Sequence, residues 1–196
     1  MTDLMNLQIG VMGGAFVYTE EALKAARIIG EEIAKANCTL ITGGTTGIPH
    51  AASKGARANG GLSIGISPAI NAKEHVERYK KPLDYDVIIY TGFGYSARNP
   101  INIRACDGVI FLGGESGTLN EFTNGLYEGK VLGVLEGVGG ITDKIREILN
   151  CFKSDHGAKV IFDTDPVVLV KKVIELARSN SYVFSNVQIV KGDPVK

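Results

Sequence analysis

The run Gly108-Val109-Ile110-Phe111-Leu112 leads into Gly113-Gly114-Glu115-Ser116-Gly117-Thr118-Leu119-Asn120-Glu121. The apolar run has the length of one buried strand, and a helix is expected to begin near Gly117-Thr118. Amides at such a start lack intrahelical acceptors, lie at the positive end of the helix dipole and face a turn with few side chains. They suit a phosphate or a carboxylate, and Thr118 adds a hydroxyl. Glu121 follows Thr118 by three residues, so both project from one face of the first turn. A carboxylate beside a bound phosphate is unfavourable unless it acts on another part of the ligand. As a plain first-turn acid, Glu121 would stabilise the helix by a few tenths to ~1 kcal/mol. Spacing leaves both readings of Glu121 open.

Other familiar patterns carry less. Gly61-Leu62-Ser63-Ile64-Gly65 matches G-x-S-x-G, but Ser63 sits inside a strand that continues through Ile66, where a nucleophile elbow needs a strand-to-helix turn. Gly92-Phe93-Gly94-Tyr95-Ser96-Ala97 matches G-x-G-x-x-A, yet the next strand ends in Phe111-Leu112 and offers no ribose-binding acid. Val131 follows Lys130, so Gly125 to Lys130 is no P-loop. His50, His75 and His156 are isolated from one another and from Cys38, Cys106 and Cys151. That spacing predicts packing or surface roles for the histidines, no metal site, and no disulfide framework.

The elements that must position the glycine turn repeat along the chain. Strands are expected at Leu7 to Met12, Thr39 to Thr42, Leu62 to Ser67, Asp86 to Thr91, Gly108 to Leu112, Val131 to Leu135 and Lys159 to Phe162. Most are apolar throughout, as strands covered on both faces are. Between them, Thr19 to Asn37 places Ala22, Ala26, Ile29, Ile33 and Ala36 on one stripe, with Thr19 as N-cap and Glu20-Glu21 in the first turn. Further helices are expected at Gly47 to Asn59, Gly117 to Glu128, Ile141 to Phe152 and Asp165 to Ser179. The alternation predicts an α/β fold: a three-layer, Rossmann-like open parallel sheet with helices on both faces, one domain over 1–179. The segment Asn71 to Tyr85 is charged and irregular, with helical potential and a Lys81-Pro82 break, and reads as a solvated connection or a flap. Residues 180–196 form a tail or an edge strand through Tyr182 to Val190.

Glycine makes up 25 of the 196 residues, about twice the usual ~7%. Gly13-Gly14, Gly43-Gly44 and Gly113-Gly114 each close a strand before a helix. Ligands of open parallel sheets bind at that edge, so these turns predict one shared pocket. With 21 basic and 21 acidic residues the formal net charge is zero, which offers no basic surface to nucleic acid or to anionic lipid. No apolar run approaches the ~20 residues of a membrane span, and the first residues lack the features of an export signal. A cytoplasmic location is expected.

Gly113-Gly114-x-x-Gly117-Thr118-x-x-Glu121 resembles the P-G-G-x-G-T-x-x-E signature of the LOG proteins. These are nucleoside 5'-monophosphate phosphoribohydrolases of the SLOG superfamily, often mislabelled lysine decarboxylases. Ile9 to Gly14, Leu40-Ile41-Thr42-Gly43-Gly44 with Gly47, and Gly60 to Pro68 are similar to the family's other glycine turns. Leu112 stands where the signature has proline, and Ser96-Ala97-Arg98-Asn99 replaces its M-H-x-R-K with spacing one residue shorter. That version more closely resembles the molybdenum-cofactor carrier branch. The resemblance implies Arg98 and Glu121 as the active pair if the protein is an enzyme. It implies a ligand site at Gly13, Gly14, Gly43, Gly44, Gly47, Arg98, Asn99, Gly113, Gly114, Ser116, Gly117, Thr118 and Glu121. It also implies a homodimer or larger homo-oligomer. No cofactor is required on this reading; the ligand is a nucleoside monophosphate or molybdopterin. Binding is expected ahead of the alternative, hydrolysis of the N-glycosidic bond to release base and ribose 5-phosphate. A DNA-processing Rossmann protein shares the fold but would need a basic surface.

Overall fold

The computed structural model describes residues 6–154 and 156–181. Its seven strands are β1 (Gln8–Gly13), β2 (Thr39–Thr42), β3 (Ser63–Ser67), β4 (Val87–Tyr90), β5 (Gly108–Leu112), β6 (Val131–Leu135) and β7 (Lys159–Asp163). They pair in parallel throughout, in the spatial order β4-β3-β2-β1-β5-β6-β7. The helices are α1 (Glu20–Lys35), α2 (Ile48–Ala58), α3 (Ala72–Glu77), α4 (Gly94–Arg104), α5 (Ser116–Tyr127), α6 (Ile145–Leu149) and α7 (Pro166–Ser181), with a 3₁₀ turn at Ile141–Lys144.

Strand alternation explains the continuous apolar runs. Ile110 and Leu112 of β5 join Ile9 and Val11 of β1 in a core under α1, α2 and α7, represented by Ile29, Ala52 and Val173. Val109 and Phe111 point the other way, into a core with Ile103, Phe122 and Ile145 from α4, α5 and α6. The sheet is therefore the middle of three layers, as the sequence predicts. Thr19 caps α1 as expected, its hydroxyl accepting from the Ala22 amide at 3.0 Å. Helices α1 and α2 touch backbone to backbone: a Cβ at Gly30 would meet the Ala52 carbonyl oxygen, and one at Gly55 the Arg27 carbonyl oxygen.

Three regions depart from the sequence-based expectations. Helix α4 was not anticipated. Its buried residues include Arg98, Asn99 and Asn102 and it carries Pro100 inside, so no apolar stripe announces it. The helix expected over Ile141 to Phe152 is a 3₁₀ turn followed by the short α6. There the Asp143 carboxylate accepts from the Gly137 and Gly139 amides at 2.8 and 3.1 Å, and the Thr142 hydroxyl accepts from Gly113 N at 2.9 Å. Those bonds draw the chain back onto the turn after β5. The segment from Asn71 to Tyr85 is largely exposed, as a solvated connection is, but it carries the short α3 and is anchored at buried points. His75 is fully buried, bonded to the Ser67 hydroxyl at 2.8 Å and to the Pro82 carbonyl at 2.9 Å, and the Tyr85 hydroxyl donates to Thr45 O at 2.7 Å. The edge strand expected through Tyr182 to Val190 lies outside the described residues. Among the described residues, no helix is long and apolar enough to cross a membrane.

The topology fixes where a ligand can sit. Strands β1 to β4 are laid outward on one side. The chain then returns through α4 to place β5 on the other side of β1, and β6 and β7 continue outward. At this switch the connections after β1 and β5 leave in opposite directions, opening a crevice beyond the strand ends.

Candidate functional site

The crevice holds a cavity of about 230 Å³. Met12 to Val17 form one wall, running from the end of β1 into the loop that follows. Gly43 and Thr45 come from the turn after β2, Tyr95, Arg98 and Asn99 from α4, and Glu115 to Thr118 with Glu121 from α5. Two of the expected glycine turns thus line one cavity, and the third shapes it from behind. Gly113 and Gly114 turn the chain with φ of 59° and 74°, a left-handed backbone that other residues rarely adopt. A Cβ on Gly114 would collide with the Thr118 hydroxyl, so the glycine lets that oxygen lie against the turn.

Of the expected site residues, Gly13, Gly14, Gly43, Arg98, Asn99, Ser116, Gly117, Thr118 and Glu121 reach the cavity wall. Gly44 backs onto Gly65, Gly47 caps α2 against the Gly14 and Ala15 carbonyls, and Gly113 rests near Ile48. These glycines let the loops approach one another. At α5 no side chain caps the helix start, and the Leu119 amide, bonded to Glu115 O at 3.0 Å, is the first to pair there. The amides before it have no intrahelical acceptor and sit on residues of the cavity wall.

Arg98 is 4% exposed, and its Nε and Nη1 have no hydrogen-bond partner. Its guanidinium occupies the notch left by Gly43, where a Cβ would lie 3.1 Å from Cζ and overlap Nη1. Burial presses its pKa below the usual arginine range, opposed by the charge of Glu121. Since arginine stays protonated in proteins, that shift measures the cost of holding the charge there. Glu121 is also buried; its Oε1 accepts from Asn102 Nδ2 at 2.8 Å. Burial lifts its carboxyl above the usual range, against the pull of Arg98 and Asn102. The two side chains share the cavity wall without a hydrogen bond between them. Asn99 Nδ2 donates to Asn120 Oδ1 at 2.9 Å and ties α4 to α5.

Phe16, Thr45 and Tyr95 also line the cavity and were not anticipated. Tyr95 directly follows Gly94 and Phe16 lies two residues after Gly14, a signal that sequence reading could have used. The profile of the SLOG cluster4 family matches residues 6–170. The chain belongs to the SLOG cluster4 family. This SLOG cluster4 protein is 39% identical over 127 residues to an uncharacterized protein of Archaeoglobus fulgidus, a match covering 63% of this chain and 76% of the relative. It is 32% identical to the molybdenum cofactor binding protein of the phototrophic bacterium Rippkaea orientalis, with a TM-score of 0.72 over 91% of this chain and 99% of that one. For the molybdenum cofactor carrier protein of Chlamydomonas reinhardtii the identity is 29% and the TM-score 0.71, over 89% and 99% of the two chains. The resemblance carried by the glycine motifs is borne out, including its leaning towards the carrier branch.

Proposed function

We propose that this SLOG cluster4 protein binds a phosphate-bearing, planar-ringed ligand, of nucleoside monophosphate or molybdopterin type, in the cavity between β1 and β5. The observation that carries this reading is Arg98. A buried charge without partners costs several kcal/mol, and two of this guanidinium's nitrogens have none. A phosphate satisfies a guanidinium through paired, charge-assisted hydrogen bonds. The uncapped start of α5 supplies amide donors to the same cavity. At its rim Phe16 and Tyr95 are 71% and 43% exposed, and their faces suit a planar ring. The molybdenum cofactor named for the two similar solved structures belongs to this ligand class.

Hydrolysis of an N-glycosidic bond is the second reading, favoured by the Glu121 carboxylate on the same wall. An oxocarbenium-like transition state would need that carboxylate ionised. Burial works against its charge, so binding is the preferred reading.

The test is calorimetric titration with nucleoside 5'-monophosphates and their parent nucleosides, with chromatography for free base. Saturable binding of a monophosphate, at least tenfold tighter than its nucleoside and lost in Arg98→Met, is expected. Equal affinity for nucleoside and monophosphate would refute the reading. Base release that disappears in Glu121→Ala would replace it with the hydrolase.

A further inference from the structure

Between α3 and β4 lies Lys81, a lysine only 3% exposed. Its Nζ donates to the Thr45 hydroxyl and lies 4.4 Å from the Phe16 ring centre and 5.7 Å from that of Tyr95. Thr45, Phe16 and Tyr95 all line the Arg98 cavity. The groups facing Nζ are therefore Phe16 from the β1–α1 loop, Thr45 from the turn after β2, and Tyr95 and Arg98 from α4, with the Tyr85 hydroxyl on Thr45 O. Arg98 is the charged one among them. Among the described residues no carboxylate pairs with Lys81. An ammonium carries three donors, and one is engaged here. The aromatic faces compensate a buried ammonium only in part.

We propose that Lys81 is a second cationic contact for the ligand's phosphate, and that with Arg98 it makes the cavity select a phosphate monoester dianion over monoanions. The inference rests on the phosphate-binding reading above. Arg98 lies on the cavity wall and Lys81 directly behind its Thr45, Phe16 and Tyr95, and the acids on that wall are Glu121, itself buried, and the exposed Glu115. A phosphate monoester carries about −1.5 to −2 at neutral pH, which neutralises both cations. A phosphodiester or carboxylate brings one negative charge and leaves one cation uncompensated. Burial, and then the charge of Arg98, hold the Lys81 pKa down at about 8. Its proton is held at neutral pH and lost above that value, unless a bound dianion retains it.

The test uses methyl phosphate, a monoester, and dimethyl phosphate, a monoanionic diester, titrated into the native protein and into Lys81→Met and Lys81→Arg. Binding is read by NMR, with lysine labelled at Cε. The native protein is expected to prefer methyl phosphate by about tenfold, in line with one charge-assisted hydrogen bond. Lys81→Met should lose most of that preference while keeping measurable phosphate binding through Arg98, and Lys81→Arg should retain it. An undiminished preference in Lys81→Met overturns the role of Lys81 and leaves the phosphate-binding reading intact. A native protein that binds neither ester overturns both. Should Lys81→Met fail to fold, the native lysine signal decides. Saturating methyl phosphate should raise the Lys81 titration midpoint by about one pH unit for tenfold coupling, and an unmoved midpoint overturns the proposal.

Discussion

Gly43→Ala separates ligand binding from folding. Gly43 is absent from the glycines with positive φ, so alanine fits the backbone, and such a substitution gains about 0.4–1 kcal/mol by restricting the unfolded chain. The added methyl would overlap Arg98 Nη1 and lie 3.1 Å from Cζ and 3.2 Å from Nη2. The guanidinium is the far end of a flexible side chain, so the clash is relieved by moving it about 1 Å rather than by parting backbone. Overpacking costs about 1–3 kcal/mol in a rigid core, and a yielding side chain places this site at the low end. The two contributions nearly cancel, leaving a net change within about 1 kcal/mol, or roughly 2–4 °C in Tm for a domain of this size. Affinity responds differently. Losing one charge-assisted contact removes about 1.5–3 kcal/mol, or roughly 10- to 150-fold in Kd. Calorimetric titration with a nucleoside 5'-monophosphate beside a thermal melt measures both. Unchanged affinity in a normally melting variant would refute Arg98 as the ligand's anchor, and a melting point lowered by more than about 10 °C would show that the fold itself needs glycine there.

Thr118→Val keeps the side-chain shape and removes the hydroxyl, so it should weaken phosphorylated ligands by up to about tenfold and parent nucleosides hardly at all; equal losses for both would displace the phosphate from the start of α5. Because burial raises the Glu121 carboxyl above its unfolded value, its ionisation costs folding stability as pH rises from the ordinary carboxylate range towards the folded pKa. Glu121→Gln, which preserves the acceptor for Asn102, should therefore raise Tm at neutral pH and lose that advantage below about pH 4; thermal melts across pH would refute this if the gain were the same at both ends. Gly55→Ala would drive a methyl into the Arg27 carbonyl, 2.9 Å from its carbon, and so part α1 from α2. Urea unfolding should show a loss of about 1–3 kcal/mol with ligand affinity unchanged, and unaltered stability would mean that the two helices have slack.

The inner strands were legible as short, almost wholly buried runs between glycine turns, whereas β4 and β7 at the edges are partly exposed and were read from their β-branched composition. Helices α1, α2, α5 and α7 were legible from their own helical patterns, α1 also from its Thr19 cap. Helix α4 was not, because its inward face carries Arg98, Asn99 and Asn102, which hydropathy assigns to solvent. Lys81 was hidden more deeply. Its burial depends on Thr45, Phe16 and Tyr95, which the fold brings from separate loops, and nothing within a few residues of Lys81 encodes it. The glycines were legible as a group but not one by one. Gly43 makes room for a guanidinium, whereas Gly44 makes room for the backbone at Gly65, and adjacent letters cannot separate those duties.

The return of the chain through α4 gives the cavity a further meaning. β1 pairs with β2 on one side and with β5 on the other, so the sheet consists of two half-sheets joined at one seam. Wall residues come from both halves: Gly13, Gly14 and Gly43 from the first, and Ser116 to Glu121 from the second. Arg98 sits on the strap between them. The cavity comes into being only when the long closure from β1 to β5 has been made. A ligand bound there would stabilise the seam as well as the fold, because it would draw free energy only from the joined state. A chain severed between β4 and α4 would bind only as two fragments reunited, with occupancy of the cavity marking their reunion.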